Sequence, residues 1–171
     1  SEFVLRYRPQ IIGITANTGY GDGVVYSAAV DVYSATGDAV GVLVTTTGDG
    51  DLYAALTGPT SVSGYLDATG VDVSAGGAGD AAAVNSGAIS VSSDYALAQG
   101  MHVLAQGGGD ASASNSGDID VSSQHGLGTG IYAASYYAYA SVDNSGSVDV
   151  AAYYSALGIS AYGYYGASVY N

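Results

Sequence analysis

The sequence predicts an all-β chain wound into a parallel β-helix of about five coils, each built from three short strands, and three observations predict it. The triplet Asn-Ser-Gly recurs at Asn85, Asn115 and Asn144, and Asn171 stands where a fourth would begin, at spacings of 30, 29 and 27 residues. Self-similarity at that period is the mark of a solenoid. Each triplet is followed by a run that alternates apolar and polar residues, such as Asp118-Ile119-Asp120-Val121, which is the period of a strand. The 171 residues include 27 Gly and 17 Tyr but no Cys, no Trp and one Phe, a bias toward repetitive β structure.

Taken in order, residues 1–22 are expected to form an N-terminal cap or edge strand. Residues 1–3 read as a cloning remnant. Phe3-Val4-Leu5 and Ile11-Ile12-Gly13-Ile14 supply apolar surface to cover a raw sheet edge, and Arg6, Arg8 and Pro9 suit an exposed one. The repeats run from 23 to 171. In the first two coils Gly23-Val24-Val25-Tyr26 and Gly50-Asp51-Leu52-Tyr53 stand in for the strand that follows the Asn triplet. Val30-Asp31-Val32 stands in for the second strand, and Val40, Val42 and Val44 continue the third. The step from Gly50 to Gly87 is 37 residues, which places an insertion around Leu56-Thr57-Gly58-Pro59-Thr60.

The later coils are clearer. The first strand is Ala88-Ile89-Ser90-Val91 and its equivalents after Gly117 and Gly146. A glycine (Gly70, Gly100, Gly130, Gly158) announces the second strand, typified by Val71-Asp72-Val73 and Met101-His102-Val103. The third, such as Ala81-Ala82-Ala83-Val84, leads into the next Asn. Three short strands cannot close a core within one repeat, whereas stacking each on its equivalent does, giving a column about 24 Å tall at ~4.8 Å per coil. Alternation sends Ile89, Val91, Ile119, Val121, Val148, Val150, Val71, Val73, Met101, Val103, Ile131 and Ile159 inward, with Ala81, Ala83, Ala111, Ala113, Ala140, Val142, Ala167 and Val169 on the third wall. Asn85, Asn115, Asn144 and Asn171 read as a turn ladder, since Asn tolerates a left-handed backbone and its amide can bond its own backbone or the Asn one coil above. Nothing like the N-terminal cap follows Asn171, so the repeats are expected to belong to a longer solenoid.

The charge excludes several functions. Fifteen acidic residues face two arginines, a formal net charge of −13, and both arginines lie in the first ten residues. Binding to nucleic acid or to an anionic lipid surface is therefore not expected. Without cysteine there is no disulfide, thiolate nucleophile or cysteine metal site. No apolar run of about 18 residues exists to insert in a membrane as a helix, and no signal peptide is visible.

Catalytic candidates are sparse. Asp118 and Asp120 form the best acid-base pair of the kind polysaccharide-processing β-helix enzymes use, but a lyase acting on acidic sugar needs a basic residue to hold it. His102 and His125 have no visible His or Cys companion. We expect no enzyme activity and no catalytic residue. Calcium is the one cofactor with ligands on offer, from Asp118, Asp120 and Asp149; solvated carboxylates are the simpler reading. Tyrosine is the most informative surface residue: ten of the seventeen lie from Tyr132 onward. Tyr132, Tyr136, Tyr137, Tyr139, Tyr162, Tyr164 and Tyr165 are the candidate contact surface, because Tyr offers large amphipathic area at low entropic cost. Ring stacking between coils is the competing, structural reading.

The units Asn115-Ser116-Gly117-Asp118-Ile119-Asp120-Val121, Gly130-Ile131-Tyr132-Ala133 and Ala140-Ser141-Val142-Asp143-Asn144 resemble the repeats in passenger regions of bacterial autotransporter and related adhesin-like secreted proteins, from about residue 62 to 171. That resemblance implies a right-handed β-helix displayed on the bacterial cell surface or secreted, serving adhesion or acting as a display stalk. The implied partner is a host or bacterial surface glycan or protein. Rival expectations are a self-assembling module that stacks end to end into fibres, and a polysaccharide-processing enzyme.

Overall fold

The structure, a computed structural model, describes residues 10–171. The roles expected of Phe3-Val4-Leu5, Arg6, Arg8 and Pro9 fall outside the described residues. Numbered in chain order, sheet A holds β1 (Gln10–Thr18), β4 (Asp38–Thr46), β7 (Ala68–Ala75), β10 (Ala98–Ala105), β13 (Leu127–Ser135) and β16 (Ser155–Gly163). Sheet B holds β2 (Gly23–Ser27), β5 (Leu52–Leu56), β8 (Ala81–Asn85), β11 (Ala111–Asn115), β14 (Tyr139–Asn144) and β17 (Gly166–Tyr170). Sheet C holds β3 (Val30–Ser34), β6 (Thr60–Gly64), β9 (Ile89–Ser93), β12 (Ile119–Ser123) and β15 (Val148–Ala152). Every third strand returns to the same sheet and pairs parallel with its equivalent one coil away. The chain is thus a parallel β-helix, five complete turns followed by β16 and β17 of a sixth. Gln10–Thr18 is the edge strand of sheet A, in register with Asp38–Thr46.

The early coils are as regular as the late ones, which corrects two expectations. Gly23-Val24-Val25-Tyr26 and Leu52-Tyr53 lie in sheet B beside Ala81-Ala82, Val30-Asp31-Val32 lies in sheet C, and Val42 and Val44 lie in sheet A beside Val71 and Val73. The expected alignment was one strand out of phase throughout. There is also no insertion, because Leu56 pairs with Asn85 and Thr60 with Ile89, each 29 residues on (56 to 85, 60 to 89). Leu56-Thr57-Gly58 is itself the corner that becomes Asn-Ser-Gly higher up. The Thr57 amide donates to the Ser27 carbonyl at 2.9 Å just as the Ser86 amide donates to Leu56 and the Ser116 amide to Asn85, each at 2.9 Å. The equivalence is hidden because the marker residue is a leucine there.

The core fills the lumen with one residue type stacked on its like. Val42, Val71, Met101 and Ile131 form one buried column on sheet A, and Val62, Val91 and Val121 form one on sheet C. Sheet B contributes mostly alanine, and where it carries Leu52 and Leu56 sheet C has the smaller Thr60 in place of Ile89 and Ile119. Ala167 and Val169, expected inward, are exposed because β17 has no strand on its far side.

Within sheet A the glycines expected to lead the strand stand inside it. A Cβ on Gly100 would come within 2.5 Å of the Gly130 carbonyl and 2.6 Å of the Ile119 Cγ2, so side chains from sheet C occupy the space a residue there would need. Gly41, Gly70 and Gly130 meet the same obstacle, which makes glycine a packing requirement of this wall.

The asparagines form a buried ladder. Asn85 Nδ2 donates to Asn115 Oδ1 (2.7 Å), Asn115 Nδ2 to Asn144 Oδ1 (2.7 Å) and Asn144 Nδ2 to Asn171 Oδ1 (2.6 Å). The second hydrogen of each amide closes the corner by bonding the glycine carbonyl two residues on, at Gly87 (2.7 Å), Gly117 (2.7 Å) and Gly146 (2.8 Å). These residues end strands in an extended backbone, and among the described residues no residue other than glycine has a positive φ. Asn is therefore selected for its amide, not for left-handed tolerance. At the foot of the ladder Asn85 Oδ1 is buried above Leu56 without a donor.

Two outcomes follow for stability. Asn115→Ala removes the middle rung and leaves Asn144 Oδ1 and the Gly117 carbonyl without that donor, and is expected to cost about 2–4 kcal/mol in denaturant unfolding followed by circular dichroism. A loss below about 0.5 kcal/mol would show the ladder to be energetically idle. Leu56→Ala opens a cavity at a cost of about 2–5 kcal/mol. Leu56→Asn should be the more stable of the two, since its amide meets both Asn85 Oδ1 and the Gly58 carbonyl. The reverse order would refute the ladder's downward continuation.

Candidate contact surface

The corner between sheets A and B changes character along the helix. In the lower coils it is mostly glycine and aspartate, as in Gly76-Gly77-Ala78-Gly79-Asp80 and Gln106-Gly107-Gly108-Gly109-Asp110, with one exposed tyrosine, Tyr20, at the first. In the fifth it is Tyr136-Tyr137-Ala138-Tyr139, and in the last Tyr164-Tyr165-Gly166. The backbone positions still stack: the Gln106 amide donates to the Ala75 carbonyl (2.9 Å), the Tyr136 amide to Ala105 (3.1 Å) and the Tyr164 amide to Ser135 (3.2 Å). Parts of the corner are packed, since Gly79, Gly109 and Ala138 are buried and a Cβ on Gly79 or Gly109 would meet the backbone of the coil below, while the tyrosines project into solvent.

Five of the seven predicted contact residues, Tyr136, Tyr137, Tyr139, Tyr164 and Tyr165, occupy this corner and all are exposed. Tyr139 and Tyr165 meet across the coils with ring centroids 6.0 Å apart, and Tyr164 meets Tyr165 edge to face at 5.1 Å. Tyr132 and Tyr162 stand on the outer side of sheet A. Partial burial, followed by the charges Tyr136 and Tyr162 would carry, raises the Tyr132 phenol above its ordinary value of 10.0. Among the seven, ring contacts join Tyr139, Tyr164 and Tyr165 on the corner.

Other aromatic residues follow the stacking reading. Tyr65, Tyr95, His125 and Tyr153 form a column along the corner between sheets C and A, with centroid distances of 4.8, 5.0 and 6.2 Å. His125 also hydrogen-bonds the Asp94 carbonyl at 2.9 Å through Nδ1. His102 has the companions that sequence reasoning missed. Its Nδ1 lies 3.0 Å from Asp72 Oδ1, which also accepts the Ser74 hydroxyl (2.6 Å), and its ring stacks on Tyr132 at 5.5 Å and 5°. Asp72, His102 and Tyr132 are each 30 residues apart (72, 102, 132), which is the signal that could have found them. Asp31, expected to be equivalent to Asp72, lies in sheet C beside Ser61.

The acidic residues are more ordered than scattered. Asp22 Oδ1 accepts the Asp51 amide (3.0 Å), Asp51 Oδ1 the Asp80 amide (3.0 Å), Asp80 Oδ1 the Asp110 amide (2.7 Å) and Asp110 Oδ1 the Tyr139 amide (3.0 Å). This exposed aspartate column runs up the A/B corner and ends in the tyrosines. Asp120 pairs in register with Asp149 on sheet C, and Asp118 accepts the Ser147 hydroxyl at 2.6 Å. Among the described residues no three His, Cys, Asp or Glu side chains converge as a metal site.

The shift at Tyr132 has a consequence in alkali. Its folded-state pKa lies above the unfolded value of 10.0, so its contribution is fully present below pH 10.0 and is lost as pH rises through the folded value. Unfolding midpoints measured on both sides of that pH should fall less for Tyr132→Phe than for the parent. Equal falls would mean that the phenol titrates as if unfolded.

No protein-family model matches the chain, and no curated protein and no solved structure matches it either.

Proposed function

We propose that this chain is a non-catalytic, surface-displayed β-solenoid in which the lower coils act as a spacer and the tyrosine-bearing corner of the last two coils makes the contact, in adhesion or display. The observation that carries the reading is the clustering of five exposed tyrosines at the A/B corner of the last two coils, where the corners below are mostly glycine and aspartate and hold the single Tyr20. The exposed tyrosine rings lie outside the lumen and fill none of the core. Exposed Tyr at that density suits recognition of sugars or protein surfaces. The site adjoining it, Asp72, His102 and Tyr132, is a stacked column on a sheet face, where the rings cover one another. The proposed setting is extracellular, at a bacterial cell surface, in keeping with the repeat resemblance.

The test is a glycan and host-matrix binding screen of the parent chain beside a variant with Tyr136, Tyr137, Tyr164 and Tyr165 changed to Ser. Binding by the parent that is lost in a variant retaining its β circular dichroism is the expected result. Binding that survives all four changes would place the contact elsewhere on the chain, and a parent that binds nothing would leave it a spacer alone.

A further inference from the structure

Resting on the contact-surface reading above, we propose that the Tyr139/Tyr165 corner recognises guanidinium groups, so that its partner is an arginine-rich segment of another protein. Two features meet there. Tyr139 and Tyr165 are 59% and 67% exposed and lie 6.0 Å apart, presenting aromatic faces to solvent. Directly below, the Tyr139 amide is held by Asp110, whose carboxylate accepts that one hydrogen bond among the described residues, and Asp80 and Asp51 continue the same column. A carboxylate has two oxygens and about four acceptor positions, so Asp110 retains capacity for an incoming donor.

Charge fixes the sign of the partner. Residues 10–171 contain no Lys or Arg, and the chain carries a formal charge of −13, so no fixed cation of the described coils competes for the corner and an anionic partner is repelled. A neutral sugar would use the rings and leave the aspartates idle. Among cations, guanidinium fits best. It is planar and weakly hydrated, stacks on an aromatic face and forks onto a carboxylate at its edge, whereas an ammonium is a strongly hydrated point charge. The aspartates draw the partner in over a distance of about a Debye length, ~8 Å at physiological salt, and the rings select which cation stays.

The experiment compares a fluorescent oligo-arginine peptide with an oligo-lysine peptide of equal length and charge, by anisotropy at physiological ionic strength. Three proteins are measured: the parent, Tyr139→Ser/Tyr165→Ser, and Asp110→Asn, whose Oδ1 still accepts the Tyr139 amide. The parent should bind the arginine peptide about fivefold or more tightly than the lysine peptide. The tyrosine variant should lose that preference while keeping its β circular dichroism, and Asp110→Asn should weaken both peptides. Equal affinity for the two peptides, or a preference untouched by the tyrosine changes, overturns the proposal. If neither peptide binds but the glycan and matrix screen still reports tyrosine-dependent binding, the guanidinium partner is wrong and the contact surface stands; silence in both removes the two together.

Discussion

Parallel stacking of each strand on its equivalent about 29 residues later is the constraint from which the rest of this structure follows. At a strand spacing of ~4.8 Å, every side chain's nearest neighbours above and below are its own counterparts. A residue is therefore selected for how well it packs or bonds against a copy of itself. Valine and isoleucine satisfy this in the lumen by filling it evenly. Asparagine satisfies it by being donor and acceptor at once, so a column of amides is self-complementary, and its spare hydrogen closes the corner. Aspartate on the outside satisfies it differently, each carboxylate capping the amide of the residue one coil up.

The same constraint divides the molecule into parts that are fixed and parts that are free. Lumen positions and the sheet A glycines are bound by contacts on several sides, and a change in one coil has to be answered across the lumen, as Thr60 answers Leu52 and Leu56. At the corners the glycines are fixed by close approach to the coil below, and the exposed side chains between them face solvent. A function that requires chemical variety without loss of the scaffold therefore belongs at a corner, and the A/B corner is where the chain departs furthest from its own repeat. The aspartate column gives that corner a uniformly negative approach, and the tyrosines above it supply area and shape.

Ring stacking and surface presentation, the two roles open to tyrosine, occur side by side at both corners. Along the C/A corner Tyr65, Tyr95 and His125 lie one per coil and cover each other's faces, so they act as a continuous brace. At the top of both corners adjacent tyrosines, Tyr153 with Tyr154 at C/A and Tyr164 with Tyr165 at A/B, meet edge to face and leave aromatic surface uncovered.

By itself the sequence determined the fold, the strand period in the later coils and the inward residues from Val71 to Val142, because alternation and the Asn triplet are local signals that a single strand and a single corner write into the chain. It also marked the tyrosines as a group. Only the tertiary structure decided the phase of the first coils, where leucine replaces the marker asparagine, and only it made Leu56-Thr57-Gly58 a corner in place of an insertion. The pairing of Asp72 with His102, the aspartate column and the contact of Tyr139 with Tyr165 were likewise decided there. Each joins residues about a coil apart, and the physical reason is register: a shift of one residue would turn a stacked pair to opposite faces of the sheet, and register is set by all three sheets together.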